Sequence, residues 1–135
     1  MKPLTMLMER AETDRRLIAR NQRHGDDISR PRQVRFELVA KSEAHAIDLS
    51  GLINALGYGD AAAIESVQGS VMSANPGEWR VVICMLIPLS PHQLVRTSAL
   101  MAALASLLGV HYDGWGCHLM TTQQAPGADE PQGNH

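Results

Sequence analysis

Apolar and polar positions alternate along this chain in two rhythms, and the switches between them mark the elements. From Thr5 to His24 the apolar residues Leu7, Met8, Ala11, Leu17 and Ile18 recur at helical spacing. Asp14 interrupts that stripe, which predicts a helix that packs only partly. Gln33–Lys41 changes to period two, with Val34, Phe36, Leu38 and Ala40 on one face and Gln33, Arg35 and Glu37 on the other, as in a half-buried strand. Ser42 suits a helix N-cap. Leu49, Leu52, Ile53 and Leu56 follow at helical spacing, and Gly57 closes that helix.

Ala62–Met72 reads as a weaker strand, joined through the turn Ser73-Ala74-Asn75-Pro76-Gly77 to a strand over Trp79–Ile87. That strand is apolar on both faces, with Val82, Cys84 and Leu86 opposite Val81, Ile83 and Met85, which predicts a central place in the sheet. Ser90 and Gln93 form a capping box with Pro91 at the first helical position. Leu94, Met101, Leu104, Ala105 and Leu108 then make a stripe ended by Gly109, and Tyr112–Met120 is the last strand. The order predicts an α+β fold, a ferredoxin-like βαββαβ sandwich with an extra N-terminal helix. The expected division is 1–24 for that helix, 25–120 for the sandwich and 121–135 for a tail of disordered composition. Both sandwich helices would cover one sheet face. The other face would show Arg35, Glu37, Val39, Arg80, Val82, Cys84 and Leu86, an apolar patch with a charged rim.

Composition narrows this picture. A chain of 135 residues builds one core, and the longest apolar run, Val81–Ile87, is too short to span a bilayer. No secretory signal is visible at the start, and Cys84 and Cys117 form no Cys-x-x-Cys pair, so the expectation is a cytoplasmic protein with reduced thiols. Residues 1–41 hold ten of the twelve Lys and Arg against six acids, a charge of +4, and the remainder carries −6. Arg15, Arg16, Arg20 and Arg23 lie at helical spacing, but acids are interleaved and no aromatic residue sits among them to stack bases. A solvated helix face is the better reading, and direct nucleic-acid binding is not expected.

Two segments stand out. In Val110-His111-Tyr112-Asp113-Gly114-Trp115-Gly116 two glycines bracket a tryptophan. Strand alternation would put Gly114 and Gly116 on one face and Asp113 and Trp115 on the other, with the indole as a core anchor. In Gly25-Asp26-Asp27-Ile28-Ser29-Arg30-Pro31-Arg32 the glycine suits a helix stop, and Asp26, Asp27 and Ser29 suit a compact turn. That segment reads either as a tight helix-to-strand connection or as an exposed pair, Arg30 and Arg32, offered to an acidic partner.

Together, Gly25-Asp26-Asp27 through Arg32 and Tyr112-Asp113-Gly114-Trp115-Gly116 resemble the family called regulator of ribonuclease E activity B (RraB). The resemblance covers roughly residues 12 to 120 by placement of elements. It implies a ferredoxin-like sandwich and a protein that binds and restrains the endonuclease ribonuclease E. It also implies strong acidity with a long acidic tail, and here the chain departs: net charge is −2, and residues 121–135 carry only Asp129 and Glu130 as acids.

The sequence shows no phosphate-binding glycine loop, His-Glu-x-x-His pair or nucleophile elbow. His111, Cys117 and His118 are close in sequence, but alternation parts Cys117 from His118, so no zinc set is expected. Asp113 has no second carboxylate near it in sequence. No cofactor is implied, and an enzyme is disfavoured. Three roles remain: a protein-binding regulator, a small-molecule-sensing module of the amino-acid-binding (ACT-like) type, and a domain that pairs with its own copy through the open sheet. The residues expected to meet a partner are Arg30, Arg32, Arg35, Val82 and Leu86.

Overall fold

The computed structural model describes residues 2–65 and 78–120. The turn expected at 73–77, the latter part of the strand expected to reach Met72 and the tail 121–135 lie outside the described residues. The elements are α1 (Pro3–Arg23), β1 (Arg32–Ala40), α2 (Glu43–Leu56), β2 (Asp60–Glu65), β3 (Trp79–Ile87), α3 (Pro91–Leu108) and β4 (His111–Gly116). The helix signals act as the sequence predicts. Ser42 Oγ accepts from His45 N–H and Ser90 Oγ from Gln93 N–H, while Gly57 and Gly109 close α2 and α3 in left-handed geometry.

The strands form one antiparallel sheet in the order β2-β3-β1-β4. With α2 and α3 connecting them, this is the α+β, ferredoxin-like arrangement. Val34, Phe36, Leu38 and Ala40 of β1 and Val81 and Ile83 of β3 are buried beneath Ala46, Leu49 and Ile53 of α2 and Leu94, Met101 and Ala105 of α3. Leu52 and Leu56, expected on the buried stripe of α2, are exposed; Ala46, Leu49 and Ile53 supply the packing face instead. Asn54 ties α2 to the edge strand β2, its amide donating to Ala61 O at 3.0 Å and accepting from Ala61 N at 2.9 Å.

Helix α1 packs beside α3 on the same side of the sheet, so it enlarges the helical layer, and among the described residues no helix covers the second sheet face. Its stripe differs from expectation. Asp14 does not merely interrupt it: the carboxylate is fully buried, with Ile18 and Asn21 buried beside it along the helix, while Met8 is exposed. No helix among the described residues is long and apolar enough to cross a membrane.

Candidate functional site

The two distinctive sequence segments meet at the end of β4. Gly25, at φ +90°, turns the chain out of α1 in a region that L side chains rarely adopt. Asp26 then points inward. Its carboxylate accepts from Arg32 Nη1 at 2.7 and 2.8 Å and from Met120 N at 3.1 Å. Arg32 also donates to the carbonyls of Asp27, Arg30 and His118 at 2.8 to 3.2 Å. Asp27 N–H meets Met120 O at 2.8 Å. Its carboxylate takes Ser29 N–H and Oγ–H, and those bonds hold its pKa below the usual 3.8. The segment is thus a clasp that fastens the α1–β1 connection to the chain leaving β4.

This corrects the expectation for Arg32. Only 4% of it is exposed, and its guanidinium is spent on a buried carboxylate and on backbone carbonyls, so it offers no donor to a partner. A buried pair of this kind is costly to break, because the remaining charge is stranded away from water.

A second polar cluster joins α1 to β4. Trp115 Nε1 donates to Asp14 Oδ1 at 2.9 Å, and Arg10 Nε and Nη2 donate to the same oxygen at 3.2 and 2.8 Å. The Arg10 guanidinium lies 5.4 Å above the Tyr112 ring centroid, within cation–π range. Tyr112 Oη and Ser98 Oγ of α3 share a hydrogen bond of 2.7 Å. Burial pushes the phenol's pKa far above its ordinary 10.0. Asp14 Oδ2 is buried without a hydrogen-bond partner among the described residues.

Both rings reach this cluster because β4 carries a bulge. Glu37 pairs with Gly114 but Leu38 pairs with Tyr112, so Asp113 is an extra residue on β4 and Gly114 takes φ +101°. The bulge resets the alternation. Tyr112 and Trp115, three positions apart, both lie on the core face opposite Leu38 and Phe36. Asp113 and Trp115 are therefore on opposite faces, not on one. Gly114 and Gly116 share the open face, as alternation predicts.

On that open face the register aligns Gln33 with Leu86, Arg35 with Cys84, Glu37 with Val82 and Val39 with Arg80. Asp60, Ala62 and Ile64 of β2 extend these rows. Leu86 is 66% exposed and Ile64 49%. Arg80 Nη1 donates to Glu37 Oε1 at 3.2 Å and to Asp113 Oδ2 at 2.8 Å. The second carboxylate near Asp113, absent from its sequence neighbourhood, comes from β1. One arginine thus links carboxylates from two strands. Arg35 is exposed in the middle of this face, whereas Arg30 sits in the turn before β1. Cys84 lies on this face and buried Cys117 on the core side, where burial raises its thiol pKa.

The structure thus brings Gly25, Asp26 and Asp27 together with the end of β4, and brings Val82, Leu86 and Arg35 together on the open face. Arg10, Asp14, Ser98, Glu37 and Arg80 were missed as network members. One signal was present for Asp14: an acid at a stripe position, one turn after Arg10 and one turn before Ile18. The family model described as "Regulator of ribonuclease activity B" matches residues 11–117. No curated protein matches the chain.

Proposed function

The chain belongs to the family of regulators of ribonuclease activity B, and from that premise we propose that it restrains ribonuclease E through non-covalent contact made by its open sheet face. The observation that carries this reading is the apolar content of that face. Leu86, Val82 and Ile64 lie on it, and the three described helices all pack on the other side of the sheet. Burying such residues under a partner is the main favourable term in association. Leu86 and Val82 act as anchors. Arg35, exposed between them and β4, orients the approach of the partner and sets its salt dependence. The Glu37–Arg80–Asp113 network pairs its charges within the face, which lowers the cost of covering them.

The test is a titration of purified ribonuclease E fragments with the chain, read by binding and by cleavage of an RNA substrate. The expected result is saturable binding with slower cleavage. Absence of binding by every fragment contradicts the assignment of this partner.

A further inference from the structure

We propose that the groove between α1 and α3 binds a free amino acid with an apolar side chain. This site is separate from the open sheet face and does not rest on the ribonuclease reading. The groove has a volume of about 560 Å³, within the range of roughly 300–1,000 Å³ usual for small-molecule sites. It exists because α3 turns the small residues Ala102, Ala105 and Ser106 toward α1, leaving room that larger side chains would fill. Met6, half-buried, also borders it, giving an apolar surface for a side chain.

Two opposite charges at its wall define the ligand. Arg10 is held along one edge, Nε and Nη2 being bonded to Asp14 and the plane resting over Tyr112. Nη1 makes no hydrogen bond among the described residues. A guanidinium fixed in this way loses little freedom on donating to a carboxylate. Glu9 borders the same groove and offers a carboxylate to an ammonium group. A simple carboxylic acid would bring a second negative charge beside Glu9, and a simple amine would face Arg10. A zwitterion satisfies both, with its side chain against Met6.

Trp115 provides a reporter, because its indole N–H shares Asp14 Oδ1 with Arg10. The experiment titrates the full chain with leucine, with isocaproate (leucine without the amine) and with isoamylamine (leucine without the carboxylate), by calorimetry and tryptophan fluorescence. Leucine is expected to bind saturably, and each analogue at least about tenfold more weakly. Glu9→Gln and Ser106→Phe, both at exposed positions, are expected to weaken leucine binding by about tenfold or more without moving the unfolding midpoint. No saturable leucine binding, equal binding of either analogue, or unchanged affinity in Ser106→Phe would overturn the proposal. Open-face substitutions are expected to leave leucine binding unchanged, so this result and the ribonuclease result fail independently.

Discussion

The two sides of the sheet use charge differently. On the helix side, Arg32 and Asp26 are sealed from water, with side chains only 3% and 0% exposed, and further hydrogen bonds saturate the arginine. On the open side, Arg80 bridges Glu37 and Asp113 while both acids keep contact with solvent. The buried pair is committed to the fold, since losing either member strands a charge in the core. The open network is partly exposed, so breaking one of its pairs in water costs little. The Gly25–Arg32 segment supplies the buried side, whereas the Tyr112–Gly116 segment serves both, with Tyr112 and Trp115 on the core face and Asp113 in the open network. The open face proposed to meet a partner is spread over strands with no compact motif.

The largest expected difference between the two sides comes from Arg32. Arg32→Met strands the Asp26 carboxylate and removes three backbone contacts, and chemical denaturation should register a loss of about 3–5 kcal/mol. A loss under about 1 kcal/mol would mean that the clasp belongs with the surface pairs.

Trp115→Phe keeps an aromatic ring against the core but deletes the donor to Asp14. A loss of about 1–2 kcal/mol is expected, with faster amide exchange in α1 than in α3. Uniform exchange in both helices would show that the indole bond does not fasten α1.

Alkaline pH should also separate the two sides. An unfolded tyrosine ionises near 10.0, and burial raises the folded value of Tyr112 above that. Its contribution is fully present below pH 10.0 and is lost as pH rises through the folded value, because the unfolded state releases its proton first. Urea midpoints measured upward from that pH should fall in wild type and fall less steeply in Tyr112→Phe. Parallel curves would remove Tyr112 from the account of alkaline unfolding.

The smallest effect belongs to the open face. Glu37→Gln cuts one partly exposed ion pair, and a change below about 1 kcal/mol is expected. A loss as large as that of Arg32→Met would make the open network structural and erase the contrast.

Much of the architecture was legible in the sequence, because its signals are local. Period-two burial in β1, the Ser42 and Ser90 caps and the apolar double face of β3 each rest on neighbouring residues. The open-face positions followed from the same alternation. What escaped depends on distant partners. Nothing near Arg32 announces the His118 carbonyl that it meets across the fold, so an exposed cation was a fair expectation. Asp14 looked like a flaw in a stripe because its partner Trp115 lies at the far end of the chain. The bulge at Asp113 exists only in the pairing of β4 with β1, and without it simple alternation puts Trp115 on the same face as Asp113.

The central claim is that partner binding belongs to the open face and fold maintenance to the clasps. The most direct measurement is ribonuclease E binding by the double variant Val82→Thr with Leu86→Gln, compared with wild type by calorimetry, with thermal melts run on separate samples of both. The account predicts a melting temperature near wild type and an affinity weakened by at least about tenfold. Wild-type affinity in the folded double variant would contradict it.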